Sequence, residues 1–107
     1  MPLASYSRAA LDAIKHGNDL AEVVREQGIA LKRRGRTYFG LCPFHAERTA
    51  SFAVSRAAGL FHCFGCGAGG DVIRFVERTQ RVSFPEAVRR LARRAGLAID
   101  GERSADR

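Results

Sequence analysis

The chain has 107 residues, a mass of 11.7 kDa and 46% hydrophobic residues, enough for one small domain and too little for two independent cores. Eighteen Lys and Arg against eleven Asp and Glu give a net charge of +7. That balance excludes an acidic tail protein and points to a polyanionic partner, nucleic acid before a membrane surface. There is no run of about eighteen uncharged apolar residues. Residues Met1–Arg8 hold no basic leader followed by an apolar run. Neither a membrane span nor secretion is therefore expected, and the chain reads as cytoplasmic.

The opening third has helical periodicity. Ser7 suits an N-cap, Leu11 and Ile14 lie three apart, and Gly17 closes the segment. Asp19 suits the cap of a second short helix in which Leu20, Val23 and Val24 share a face and Gly28 is the stop. The pattern then changes to short strands. Residues 30–34 and 37–41 flank Gly35 as a hairpin, and residues 51–55 and 60–64 flank Gly59 as a second. From Asp71, a cap for Val72, Ile73 and Val76, the helical period returns and runs to about Thr79. Ser83-Phe84-Pro85-Glu86 has the form of a capping box. It opens a last helix, with Val88, Leu91 and Ala95 inward, that Gly96 ends. The predicted organisation is one α+β unit over residues 1–99: a helical start (7–28), a ribbon (30–70) and C-terminal helices (71–96), followed by a flexible tail at 100–107.

The chemistry lies in Cys42-Pro43-Phe44-His45 and Cys63-Phe64-Gly65-Cys66. Three cysteines cannot close a full set of disulfides, and a cytoplasmic chain rarely keeps one. Two donor pairs, each with a two-residue gap, suit a tetrahedral zinc ion whose four ligands leave no open position, so the site is structural. A thiol redox pair at Cys63 and Cys66 would leave Cys42 and His45 without a role, and inert buried cysteines would require ligand spacing by coincidence. His62 neighbours Cys63, and adjacent residues of an extended segment face opposite ways, so His62 should point away from the metal. His16 belongs to a helix end. The expected ligands are Cys42, His45, Cys63 and Cys66, holding one zinc ion.

Residues 32–61 hold six bases and one acid. Within them Lys32, Arg33, Arg34 and Arg36 precede Tyr38 and Phe39. This mixture suits a single nucleic-acid strand, with cations tracking phosphates and rings stacking on bases. Alternation places Tyr38 outward and Phe39 and Leu41 in the core. Arg48 and Arg56 could extend the groove, and Phe61 and Phe64 each suit either a stacking platform or the core. The expected contact set is Lys32, Arg33, Arg34, Arg36, Tyr38, Arg48 and Phe61. Arg89, Arg90, Arg93 and Arg94 repeat at helical spacing and rank lower, as a solvated face.

Four segments carry a resemblance: Leu41-Cys42-Pro43-Phe44-His45-x-Glu47, Ser51-Phe52, Phe61-His62-Cys63-Phe64-Gly65-Cys66-Gly67 and Gly70-Asp71-Val72-Ile73-x-Phe75. Together they resemble the N-terminal zinc-binding domain of bacterial and phage DnaG-type DNA primases over roughly residues 8–97. The resemblance implies a zinc ribbon, a small antiparallel sheet with flanking short helices, and the same four ligands. It implies a module that engages single-stranded DNA template and supports RNA primer synthesis. The partner is a polymerase domain, in cis or in trans, and a replicative helicase is a further expected partner. No catalytic residue is expected here, because the family's acidic polymerase site lies in that separate domain. The family usually has Thr-Pro-Ser-Phe where this chain has Thr49-Ala50-Ser51-Phe52, and a Lys-Gln-like pair where Ala57 and Ala58 stand. The alternative is a zinc ribbon serving protein interaction or regulation without primase function.

Overall fold

A computed structural model describes residues 6–44 and 50–97. Two helices, α1 (Arg8–Gly17) and α2 (Leu20–Glu26), lead into strands β1 (Lys32–Arg34), β2 (Thr37–Gly40), β3 (Phe52–Ser55), β4 (Leu60–Cys63) and β5 (Gly69–Gly70). Helices α3 (Val72–Gln80) and α4 (Phe84–Ala95) follow. The strands form one antiparallel sheet in the order β1-β2-β3-β4-β5. The fold is α+β, as expected. The fifth strand was not foreseen: Gly65, Gly67, Gly69 and Gly70 around Cys66 read in sequence as a flexible metal-holding turn, yet Gly69 and Gly70 pair with His62 and Phe61.

Local chemistry sets the boundaries. Ala10 N–H donates to the Ser7 hydroxyl at 3.0 Å, Arg74 N–H to the Asp71 carboxylate at 3.0 Å, and Glu86 N–H to the Ser83 hydroxyl at 3.3 Å, so three caps form as the sequence predicts. Two details differ. Asp19 precedes α2 but makes no cap bond, because its carboxylate pairs with Arg56 across the molecule. The capping box is half made: the Glu86 carboxylate accepts from Arg89 and Arg90 and does not return to Ser83. Gly17 is the last residue of α1 and Asn18 the cap. A β-carbon at Gly17 would lie 3.0 Å from that of Ala95, so this glycine lets α1 and α4 touch.

The helices cover one face of the sheet. Val54, Phe52, Phe61 and Cys63 point to that face and are buried with Val24, Val72, Phe75, Val76 and Val88. Phe44, Phe52, Phe61 and Phe75 pack ring against ring, with centroids 5.4–6.2 Å apart. On the far side of the core, buried Asn18 donates to the carbonyls of Ile14 (2.8 Å) and Leu91 (3.0 Å) and accepts from Arg94 (3.0 Å). That network ties the α1 end to α4 with every polar atom of the side chain used.

Candidate functional site

The metal site forms where two turns converge. Cys42 follows β2, Cys63 ends β4 and Cys66 closes the turn before β5. Their sulfurs lie within 4.8 Å of one another, with Cys42 Sγ and Cys66 Sγ 3.9 Å apart. Ligands of a tetrahedral ion at a Zn–S distance of ~2.3 Å would be separated by ~3.8 Å, so the cluster fits the group. Backbone N–H groups face the sulfurs: Phe44 N–H donates to Cys42 Sγ and Gly65 N–H to Cys63 Sγ, both at 3.3 Å. Burial pushes the Cys42 thiol up to about 12; the Cys63 and Cys66 sulfurs add to the rise and the Phe44 N–H opposes it. Burial also raises Cys63, but the N–H groups of Cys66 and Gly65 and the neighbouring thiols outweigh it and hold Cys63 below the ordinary thiol value. Three sulfurs this close, two of them buried, cannot all carry charge cheaply unless a cation is among them, which is what zinc supplies. His45, the expected fourth ligand, lies outside the described residues, as do Arg48 and the tail. His62 is exposed and faces away from the cluster, its ring 4.7 Å from that of Phe64.

The sheet register sorts the remaining residues onto two faces. Arg33, Tyr38, Val54, Phe61 and Gly70 form one cross-strand row on the face toward the helices. Lys32, Phe39, Ala53, His62 and Gly69 form a row on the opposite face, beside a second outer row of Arg34, Thr37, Ser55 and Leu60. This reverses the expected orientation of Tyr38 and Phe39. Tyr38 packs against the core with Arg25 and Arg56 at its ring, 5.4 and 5.8 Å from the centroid, and its hydroxyl accepts from Arg56. Phe39 faces outward with Arg34 at 5.9 Å, and Leu41 is half exposed. Phe61 is a core residue, 2% exposed, because it lies two residues before Cys63 and shares its face.

Of the expected contact set, Lys32 and Arg34 stand on the open face and Arg36 in the exposed turn after β1. Arg33 lies on the other face, its guanidinium donating to the Gly35 carbonyl. Phe39, Leu60 and His62, which sequence reasoning missed as parts of this face, complete it together with Phe64, which it left between stacking platform and core and which is 72% exposed. They line a groove of about 640 Å³ together with Ala53 and Gly69. The signal was present in Leu60-Phe61-His62-Cys63, since fixing Cys63 inward fixes Phe61 inward and Leu60 and His62 outward. The arginines of α4 are engaged as a solvated face would be, Arg89 and Arg90 with Glu86 and Arg94 with Glu22 and Glu26.

A five-stranded antiparallel sheet backed by helices, with three cysteine sulfurs converging at the ends of its turns, defines a zinc-binding ribbon module. The family model described as CHC2 zinc finger matches residues 6–107. The chain is 51% identical over 89 residues to the DNA primase of Geobacillus stearothermophilus, covering 83% of this chain and 15% of that protein. It is 47% identical over 92 residues to the DNA primase of Thermotoga maritima, covering 86% and 16%. A crystal structure of the Aquifex aeolicus primase, comprising its zinc binding and RNA polymerase domains, superposes with a TM-score of 0.80 at 40% identity, over 87% of this chain and 23% of that one. The chain belongs to the CHC2 zinc-finger family, the zinc-binding domain of DNA primases. It spans about one-seventh of the length of the relatives it matches. Among the described residues no helix is long and apolar enough to cross a membrane.

Proposed function

We propose that this chain binds single-stranded DNA template on the outer face of its sheet and so supports RNA primer synthesis by a primase polymerase domain, in cis or in trans. Zinc, held by Cys42, Cys63, Cys66 and His45, fixes the turn that carries Phe64 beside β4. The chain acts as one unit ending near residue 99, in the cytoplasm, where a replicative helicase is a further partner. One observation carries the reading. The outer face combines cations at one edge, Lys32 and Arg34, with rings across the strands, half-buried Phe39 and exposed His62 and Phe64. Rings accept the flat faces of bases without regard to sequence, and the cations hold the phosphates.

The test is titration of the zinc-loaded chain with a fluorescent oligothymidylate over a series of salt concentrations. If three to six phosphates are held, log affinity falls against log salt with a slope of roughly −2 to −4. Replacing Lys32 and Arg34 with Ala should make the slope shallower and weaken all sequences alike. The groove is largely apolar, which favours a second reading, docking of a protein segment. That reading gains if no strand binds and the isolated polymerase domain is retained in a salt-insensitive way.

A further inference from the structure

A separate cleft, lined by two arginines, shares no residue with the outer groove. It measures about 410 Å³ and lies between the end of α3, the loop after Cys42 and the turn after α2, with Gln27, Pro43, Phe44, Arg78, Thr79 and Arg81 in its walls. The Arg78 guanidinium lies 4.4 Å from the Phe44 ring centroid. Neither the Arg78 nor the Arg81 guanidinium has a hydrogen bond or ion pair among the described residues. Glu77, the acid of α3, lines a different cleft with Gly69, Gly70 and Phe84. Two guanidinium forks with unused donors therefore share one concave space with no described carboxylate in its lining.

Helix electrostatics explains part of this, because a cation near the end of α3 is favoured whatever its function. It does not explain Arg81. That residue caps α3 in the left-handed conformation, φ 55° and ψ 51°, the one positive-φ residue besides glycine among the described residues. Glycine or asparagine is the ordinary choice at such a position, and a long side chain there is strained. The backbone accepts a less suitable residue, and what it gains is a second guanidinium at the cleft.

We infer that this cleft is a phosphate-binding site, in which Arg78 and Arg81 grip one phosphoryl group from two sides. Planar forks of five donors match phosphate oxygens, and the ring of Phe44 holds Arg78 by its face. The phosphate comes either from the backbone of a bound strand or from a free polyphosphate chain such as that of a nucleotide. The inference does not depend on the outer face binding DNA.

The probe is inorganic tripolyphosphate, added to the zinc-loaded chain and followed by amide and arginine side-chain NMR signals. Shifts are expected at Gln27, Thr79, Arg78 and Arg81, with His62 and Phe64 unmoved. Arg81→Gly is the decisive variant, because glycine suits the left-handed backbone. Its melting temperature should hold or rise, while its affinity for tripolyphosphate falls about tenfold, the factor for one lost charge-assisted hydrogen bond. Arg78→Leu, which keeps apolar cover on Phe44, should lose affinity similarly. If Arg81→Gly also weakens oligothymidylate, the site holds a strand phosphate; if it weakens tripolyphosphate alone, the site takes a free polyphosphate. Absence of shifts at the cleft, shifts on the outer face instead, or equal affinity in Arg81→Gly and the parent chain would each overturn the assignment.

Discussion

Phe61 and Phe64 sit three residues apart on either side of Cys63, yet one is buried and the other open to solvent. Phe61 is 2% exposed inside a four-ring cluster and Phe64 is 72% exposed beside His62. Removing each ring separates folding from binding. Phe61→Ala should cost ~3–5 kcal/mol in chemical denaturation, as large-to-small changes in packed cores do. Phe64→Ala should leave stability within about 0.5 kcal/mol and weaken oligothymidylate binding by ~1–3 kcal/mol, the worth of one stacked base. The two effects in reverse would mean that the faces of β4 are misassigned. At Gly40 the constraint is space: an added β-carbon would stand 2.6 Å from the Ala30 carbonyl oxygen and 3.0 Å from a Leu31 methyl. Backbone cannot yield as a side-chain tip can, so Gly40→Ala should lower stability by ~1–3 kcal/mol in the same assay.

Elements are joined by a few polar ties that the sequence spacing did not announce. Arg94 of α4 grips the Glu26 carboxylate of α2 with its Nε and Nη2 donors and gives its Nη1 to the Asn18 side-chain oxygen. Hydrogen bonding from Arg94 holds the Glu26 carboxyl below its ordinary value of 4.5. A depressed carboxylate adds stability that is fully present above the unfolded pKa and fades as pH falls through the folded one. Glu26→Gln should therefore bring the denaturation midpoint closer to the parent's as pH falls from about 7 to about 3, with the parent losing more over that range. A parallel loss in both chains would remove Glu26 from the acid limb. The effect is small, because this pair is half open to water and screened. Arg56 makes another long tie, from the β3–β4 turn to Asp19, where it also covers the Tyr38 ring. Asp19 is thereby drawn away from capping α2.

At the scale of the whole molecule, the sheet is predicted to depend on zinc. Structural zinc contributes an apparent ~10–16 kcal/mol in small domains, and a domain of this size has a net stability of ~5–15 kcal/mol. Chelation should abolish the strand signal of residues 37–70 in far-UV circular dichroism while part of the helical signal persists. A complete strand signal in metal-free protein would remove zinc from the folding account. Two layers share this dependence: helices on the inner face and an open outer face that the same turns hold in register.

Much of this was legible from residue order alone. Caps at Ser7, Asp71 and Ser83, the hairpins about Gly35 and Gly59, and the helical stripes of α2, α3 and α4 are all local, since they depend on neighbours three or four positions away. The metal site was legible too, because the two-residue gap within each donor pair is a local consequence of a tight turn, and a tetrahedral ion needs both pairs. Which side of the sheet is covered was not. A strand alternates faces, but only its partners' register and the helices that lie on it determine which face is inner, and a shift of one residue inverts the answer, as it did for Tyr38 and Phe39. The strand at Gly69, the tie from Arg94 to Glu26 and the meeting of Arg78 with Arg81 at one cleft likewise join segments that only folding brings together. Sequence by itself determined the helices, the first four strands and the metal; tertiary structure decided the fifth strand and the faces, because pairing and burial belong to contacts between distant segments and not to any one of them.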